Sequence, residues 1–353
     1  MCGADPELAA DPMIASLITL TVLSGPDLSA LTATFDRLVR TARADVGVAL
    51  VHVESGAVVS VHGDRRYPMA SVYKLPIALE LLTQISQGTL TFDRPINLSP
   101  SDIRVCCTLS RRHPHGGVTL TVADLLELMI VESDNTSADA VLKLVGGPAV
   151  VERRLRTLGF PAININRYEG DINLEMVGVV DPPPQEEWTL DLQRQLVAAV
   201  EPEPLRAARA RYTSDPRDTA TPDDMARFLA RLQVGDLLPR PYADLLLSLM
   251  ARAQTGPRRL KALLPPDTFI AHKTGTTAVV INDVGIIDLP EDGAVHGHLV
   301  VAVFAMNGVS VAAMERAIAR LAAAAFEFFT GKPLPPPVKP KPVPRRGRSQ
   351  GRR

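Results

Sequence analysis

The chain has 353 residues, of which 46% are hydrophobic and 22% are charged, a composition typical of a globular protein with a sizeable core. The formal net charge of −1 is unevenly distributed, because residues 331–353 carry eight Lys or Arg and no acidic side chain, which leaves about −9 for the remainder. An acidic body excludes nucleic acid as an expected partner.

Both ends of the chain differ from its body. Residues 14–23 form an apolar run that has the length of a signal-peptide core and is too short to span a bilayer. The positive residues that usually precede such a core are missing, so residues 1–30 are either an exported leader or a buried helix. We expect export to the periplasm or the exterior, without stable membrane insertion. The Pro-rich, basic residues 331–353 are expected to be disordered, as a solvated tail or as a contact to an anionic surface.

Hydrophobic periodicity predicts an α/β (α+β) fold for residues 31–330. The chain begins with a helix and a hairpin, continues through a mainly helical region from residue 70 to about 264, and ends with three strands and a helix. We therefore expect one antiparallel sheet built from both chain termini, with an all-helical region inserted in it. The predicted elements outside the helical region are Ala33–Ala44, Val46–Val53, Ala57–His62, Thr268–Lys273, Asn282–Ile287, His298–Phe304 and Val311–Phe329.

Residues 174–216 contain two proline-rich stretches, 181–184 and 201–204, which interrupt regular secondary structure and distinguish the segment from its surroundings. The segment is too short and too broken by proline to bury a core of its own. We expect it to be an insertion that flanks or covers the functional site.

The first candidate site residues are Ser71 and Lys74, in a Ser-x-x-Lys pattern at the predicted start of a helix. Positions i and i+3 share a helix face, so the lysine can lie beside the serine hydroxyl, which is a poor nucleophile without an adjacent base. A helix N-terminus also offers unpaired N–H groups to a developing oxyanion. We expect Pro76 to bend this helix slightly, because it cannot donate a hydrogen bond to Val72.

A second motif, Ser133-Asp134-Asn135, falls on a short connection between two predicted helices. Ser133 can relay a proton to a leaving amine, and Asn135 can hold a substrate amide. Asp134 and Asn135 are also good helix caps, and both roles can coexist.

A third motif, Lys273-Thr274-Gly275, ends a predicted strand. Lys273 can pair with a substrate carboxylate, Thr274 offers a hydroxyl, and the N–H of Thr276 can serve as a second oxyanion donor. Gly275 permits close backbone approach.

These three motifs together resemble the class A β-lactamase family, and a fourth pattern strengthens the resemblance. Arg167-x-Glu169-x-x-x-Asn173 is similar to the family's Ω-loop signature. The resemblance implies that Glu169 and Asn173 hold the water that hydrolyses a Ser71 acyl-enzyme, and that the substrate is a small β-lactam. Either Lys74 or a water held by Glu169 can be the base in acylation. The resemblance covers residues 31–329.

The resemblance also suggests that Arg167 pairs with Asp218 to close the Ω-loop, and that Arg258 binds the substrate carboxylate. Arg259 could take the same role, and the sequence does not separate the two. The 44 residues between Asn173 and Asp218 exceed the family's usual loop, which puts the position of Glu169 in question. The stretch 104–109 also lacks the aromatic residue that many members place at the rim of the site.

Cys2, Cys106 and Cys107 match neither a disulfide framework nor a zinc pattern. Because adjacent Cα atoms lie about 3.8 Å apart, closer than a relaxed disulfide requires, we expect Cys106 and Cys107 to be free thiols. A metallo-hydrolase built on His113 and His115 lacks a third ligand at suitable spacing, so we expect no metal and no cofactor.

Two other functions remain alternatives to a monomeric β-lactamase. A DD-peptidase or esterase would acylate at the same serine and deacylate slowly. A non-catalytic module would bind the cell wall without forming a covalent adduct.

Overall fold

A computed structural model describes residues 27–334, and its central element is a five-stranded antiparallel sheet with the strand order β2-β1-β9-β8-β7. Two further pairs, β3 with β6 and β4 with β5, form small antiparallel ribbons. Strands from both ends of the chain therefore meet in one sheet. The strands are β1 (Asp45–His52), β2 (Ala57–Val61), β3 (Tyr67–Pro68), β4 (Pro95–Leu98), β5 (Val118–Thr121), β6 (Thr219–Ala220), β7 (Ile270–Thr276), β8 (Val280–Leu289) and β9 (Gly297–Met306).

Helices cover both faces of this sheet. The first and last helices pack together on one face, and the inserted helical region lies on the other. The helices are α1 (Ser29–Thr41), α2 (Lys74–Ser86), α3 (Cys107–Arg112), α4 (Val122–Val131), α5 (Asn135–Leu144), α6 (Pro148–Thr157), α7 (Glu169–Val177), α8 (Leu190–Ala198), α9 (Pro202–Tyr212), α10 (Pro222–Gln233), α11 (Arg240–Ala251) and α12 (Val311–Thr330).

Strand β9 illustrates how the sequence separates the two cores. Its side chains alternate between faces, as the twofold period of a strand requires. Leu299, Val301 and Val303 pack with α1 and α12, whereas Val300 and Phe304 pack with the helical region. The unbroken apolar run from Leu299 to Met306 is thus explained by helices on both faces.

The fold class predicted from the sequence is confirmed, because the sheet is antiparallel and both chain ends contribute to it. Within residues 27–334 no helix is both long and apolar enough to cross a membrane. The apolar run 14–23 and most of the basic tail lie outside the described residues.

We expected Pro76 to bend the helix from a position inside it, but the α-helix starts later than that expectation requires. Residues 70–73 form a 3₁₀ turn and the α-helix begins at Lys74. Pro76 is therefore the third residue of α2, where a backbone N–H has no partner inside the helix and its loss costs little.

The segment 174–216 forms the end of α7, a 3₁₀ turn, α8 and α9. Leu174, Val179 and Trp188 are buried together in a small cluster. The indole N–H of Trp188 donates to the Pro183 carbonyl at 2.7 Å. These contacts lie within the segment and hold its parts together.

Candidate active site

A cavity of about 350 Å³ opens between the edge strand β7, the start of α2, the α4–α5 connection and the start of α7. Seven of the sequence-predicted site residues line it, together with residues from the loop before α3 and from α9. The lining residues are Ala70, Ser71, Cys106, Cys107, Glu132, Ser133, Asn135, Glu169, Ile172, Asn173, Tyr212, Thr255, Thr274, Thr276 and Thr277.

Lys74 lies fully buried beneath the cavity, one helical turn from Ser71. Its Nζ donates to the Ser133 carbonyl at 2.6 Å and to Asn135 Oδ1 at 2.7 Å. Burial lowers the pKa of Lys74, although the carboxylates of Glu169 and Asp134 oppose this effect. A lowered pKa makes the neutral amine easier to form, and that amine can make both hydrogen bonds and keep a lone pair that accepts a proton.

Ser133 Oγ connects the two lysines of the site. Lys273 Nζ donates to it at 2.8 Å, and Lys74 Nζ lies 3.4 Å away. Burial, and then repulsion from Lys74, lower the pKa of Lys273 well below its usual range. Ser133 itself has a positive φ of 61°, a conformation that persists only where the surroundings enforce it. The hydroxyl is thus held where a proton can pass through it.

The end of β7 packs directly against the turn that carries Ser71. A Cβ atom at Gly275 would lie 2.3 Å from the Met69 carbonyl oxygen, so only glycine allows this approach. Asn282 on β8 donates to the Met69 carbonyl at 3.0 Å and braces the same contact. Thr274 Oγ1 shares a 2.6 Å hydrogen bond with Thr255 Oγ1.

The structure separates the two arginines that the sequence left equivalent. Neither arginine lines the cavity itself. Arg258 is exposed and donates to Glu315 at 2.8 Å. Arg259 is buried and donates from Nη2 to Thr276 Oγ1 at 2.7 Å and from Nη1 to the Gly275 carbonyl at 3.2 Å. Arg259 therefore borders the strand end where we placed the substrate carboxylate, and Arg258 does not.

Glu169 begins α7 at the wall of the cavity, held by a residue that the sequence analysis missed. Asp139 on α5 accepts the Glu169 N–H at 2.6 Å and the Gly170 N–H at 3.1 Å. The Arg104 guanidinium donates to the same carboxylate at 2.6 Å. Burial raises the pKa of Asp139 to about 6, an effect that the Arg104 guanidinium opposes. Asp139 thus fixes the start of the helix that carries Glu169 and Asn173.

The Ω-loop closes through the pair that the resemblance suggested. Arg167 Nε donates to Asp218 Oδ2 at 2.7 Å, and Asp218 Oδ1 also accepts the Asn166 N–H at 2.7 Å. Arg167 Nη1 donates in addition to Glu175 at 2.6 Å. The long insertion therefore does not prevent closure, because it leaves from the end of α7 and returns at Asp215 and Asp218 on the same arginine.

Tyr73 is a further residue that sequence reasoning passed over. Its hydroxyl is buried and has no hydrogen-bond partner among residues 27–334. Burial, together with the nearby charges of Glu169 and Asp139, raises the pKa of Tyr73 well above its usual range. The phenol therefore stays protonated beside Glu169 and cannot replace it as a base. Its place within the Ser-x-x-Lys motif was the signal that could have revealed it.

The expectation of free thiols at Cys106 and Cys107 is wrong, because the structure joins them in a disulfide. The short Cα–Cα distance disfavours a disulfide only where the backbone angles are ordinary. Both residues instead have positive φ values, 102° and 78°, and this backbone lets the two sulfur atoms meet although the Cα atoms are only 3.8 Å apart. His113 and His115 lie beyond α3 and do not line the cavity.

Comparison with known proteins places the chain in a family. The Beta-lactamase enzyme family matches residues 30–329. β-Lactamase VEB-1 of Pseudomonas aeruginosa is 27% identical over 91% of this chain and 97% of its own. The carbapenem-hydrolysing β-lactamase KPC of Klebsiella oxytoca is 26% identical over 77% of this chain and 83% of its own.

Among solved structures, an ancestral class A β-lactamase superposes with a TM-score of 0.69 at 28% identity, covering 85% of this chain and all of that structure. The chain therefore belongs to the β-lactamase enzyme family. The resemblance to class A β-lactamases inferred from the motifs is confirmed.

Proposed function

We propose that the protein is a class A serine β-lactamase that hydrolyses the β-lactam amide bond through an acyl-enzyme on Ser71. The observation that carries the proposal is the convergence of Ser71, Ser133 and Glu169 on one cavity above two buried lysines. A nucleophile, a proton relay and a carboxylate base are the parts that acyl transfer to water requires.

In acylation, Ser71 Oγ attacks the lactam carbonyl while its proton moves either to Lys74 or, through a water, to Glu169. The backbone N–H groups of Ser71 and Thr276 stabilise the oxyanion. The C–N bond then breaks, and Ser133 gives its proton to the departing nitrogen. Both lysines contact Ser133 Oγ, so a proton on Lys74 can replace the one that Ser133 has lost.

In deacylation, Glu169 removes a proton from a water that Asn173 helps to hold. The water oxygen attacks the ester carbonyl, the bond to Ser71 Oγ breaks, and Glu169 returns the proton to the serine. Asp139 supports this step indirectly, because it binds the backbone at the start of α7.

The protein recognises two groups of the substrate, its carboxylate and the amide of its acyl side chain. Lys273 and Thr274 face the substrate carboxylate from β7, and Asn135 binds the amide of the acyl side chain. Arg259, which donates to Thr276 beside them, supplies further positive charge.

We expect Arg259→Ala to raise KM for benzylpenicillin about tenfold or more, the loss expected for one charge-assisted contact. Arg258→Ala is the matched control and should leave KM unchanged, since its exposed side chain donates to Glu315, whereas Arg259 donates to the end of β7. Steady-state kinetics on both variants test the assignment. A KM that rises only in the Arg258 variant would reverse it.

The proposed function is tested by wild-type turnover of nitrocefin, a chromogenic cephalosporin, with a labelled penicillin as a probe of covalent binding. Sustained turnover over many equivalents supports a β-lactamase. A burst of one equivalent followed by a stable adduct indicates the DD-peptidase or esterase alternative. Absence of both turnover and adduct indicates a non-catalytic cell-wall module.

We further propose that the protein is a monomer that acts in the periplasm or outside the cell. Export would place the disulfide in an oxidising compartment, where such bonds persist. Gel filtration and fractionation of cells that express the full chain test these two points.

A further inference from the structure

A disulfide forms one wall of the catalytic cavity. Cys106 is exposed, Cys107 is half-buried, and both line the cavity. Cys107 Sγ lies 3.6 Å from the Ser133 carbonyl oxygen, so the sulfur pair sits beside the residue that we assign to the leaving nitrogen. A disulfide has no polar hydrogen and offers a ligand a soft, polarisable surface.

The loop that carries this disulfide is attached at both ends to the start of α5. On one side the Arg104 N–H donates to Thr136 Oγ1 at 2.9 Å, and on the other the Leu109 N–H donates to Asp134 Oδ2 at 2.9 Å. The positive φ values of the two cysteines are unfavourable and persist only under such constraints. The wall is thus held in a fixed place relative to Ser133.

The inserted segment adds a third attachment. Gln193 on α8 is buried, donates to the Ile103 carbonyl at 2.7 Å and accepts the Val105 N–H at 3.3 Å. Its amide therefore binds two backbone groups in the stretch just before the cysteines. Trp188 of the same segment lies against the Arg104 guanidinium, 5.1 Å from carbon to ring centroid.

We propose that the Cys106–Cys107 disulfide is a specificity-determining wall that packs against the ring fused to the lactam nitrogen, and that Gln193 is its positioning residue. The inference rests on the proposed β-lactamase function. In the proposed function β7 binds the carboxylate and Ser133 protonates the lactam nitrogen. The ring fused to that nitrogen is therefore the apolar part of the substrate nearest Ser133. The disulfide occupies the wall beside that position.

The oxidation state is measured first. Trypsin releases residues 105–111 (VCCTLSR), which contain both cysteines and no other. We expect this peptide from unreduced protein to resist alkylation and to be lighter than its dithiol form by two hydrogen atoms. Full alkylation without a reductant would overturn the proposal.

The contact is measured by competition against nitrocefin turnover, with two inhibitors that carry the same acyl side chain. Ceftazidime has a fused ring and aztreonam has none. In the double variant Cys106→Ser/Cys107→Ser we expect the Ki of ceftazidime to rise about tenfold, the scale of one lost apolar contact, and that of aztreonam to stay unchanged. Equal changes for both compounds, or none for either, would contradict a contact to the fused ring.

A second pair of variants leaves the cysteines in place. Gln193→Leu keeps the size of the side chain and removes its hydrogen bonds to Ile103 and Val105, together with one to the Thr189 carbonyl. We therefore expect the same selective weakening of ceftazidime with the disulfide intact. Gln195→Leu, an exposed position on the same helix, is the control and should behave as wild type. No ceftazidime-selective change in the Gln193 variant would remove the positioning role.

Reduction of wild type by a phosphine should reproduce the double variant and should not affect that variant, which retains Cys2. If wild type does not turn over nitrocefin, the proposed function is wrong, and this result by itself does not test the role of the disulfide. The contribution of the disulfide is then measured as protection of Ser71 by the same two inhibitors against labelling with a fluorescent penicillin.

Discussion

Replacement of Ser71 by alanine is expected to leave a folded protein whose β-lactam turnover falls by about 10⁴-fold or more, because the variant lacks the nucleophile that we assign to the acyl intermediate. Ser71 is only half-buried, and its side chain makes no hydrogen bond on which the fold depends among the described residues. The covalent adduct should disappear together with turnover.

The adduct can be located without ambiguity. Trypsin cleavage after Arg66 and Lys74 gives residues 67–74, in which Ser71 is the sole serine. Mass spectrometry of wild type treated with a penicillin should find the added mass on this peptide. Ser86→Ala, at the far end of the same helix, is the control and should retain wild-type kinetics. An adduct that survives in the Ser71 variant would move the nucleophile elsewhere.

The parts of the site that could be predicted from sequence are those encoded by short spacing. Ser71 and Lys74 are one turn apart, and Ser133 and Asn135 flank a capping residue, so local geometry brings them close to their final places. The sheet was predictable for a related reason, because strands such as β9 carry an unbroken apolar run, here from Leu299 to Met306.

The parts that could not be predicted depend on contacts across the chain. Asp139 lies within a helix and looks like an ordinary polar position, yet it receives backbone groups from residues thirty positions away. Arg258 and Arg259 are adjacent, and only the turn after α11 decides which of them is buried. Local propensity does not predict which side chain is buried or which distant backbone group it binds, since both follow from tertiary packing.

The disulfide shows the same limit in a different form. The distance between adjacent Cα atoms is fixed by the peptide unit, but whether two sulfur atoms can meet depends on φ and ψ. The positive φ values at Cys106 and Cys107 arise in a loop held by α5 and α8. The spacing of the two cysteines in the sequence does not report that restraint.

Glu169→Gln is expected to acylate at Ser71 and then stall, losing at least ~10²-fold in turnover, the lower end of what removal of a general base costs. Glutamine preserves the size and the hydrogen bonding of the side chain. The start of α7 should also be preserved, because Asp139 holds the backbone N–H of Glu169 and not its carboxylate. The change therefore removes the base and little else.

No neighbouring group can compensate for the lost carboxylate. Tyr73 lies beside it, but its raised pKa keeps the phenol protonated. The carboxylate of Asp139 is engaged by Arg104 and by two backbone N–H groups. Water bound at Asn173 would then lack a proton acceptor, and the ester on Ser71 should persist long enough for intact-mass measurement.

The measurement compares the variant with wild type and with Glu187→Gln, an exposed glutamate in the inserted segment that serves as the control. After mixing with benzylpenicillin, the Glu169 variant should accumulate one added penicillin mass per chain, whereas the other two proteins should return to the free mass as substrate is consumed. Turnover by the variant at the wild-type rate would remove Glu169 from deacylation. A wild-type protein that itself remains acylated would instead mean that this cavity captures β-lactams without releasing them, and that the carboxylate is not positioned to activate water.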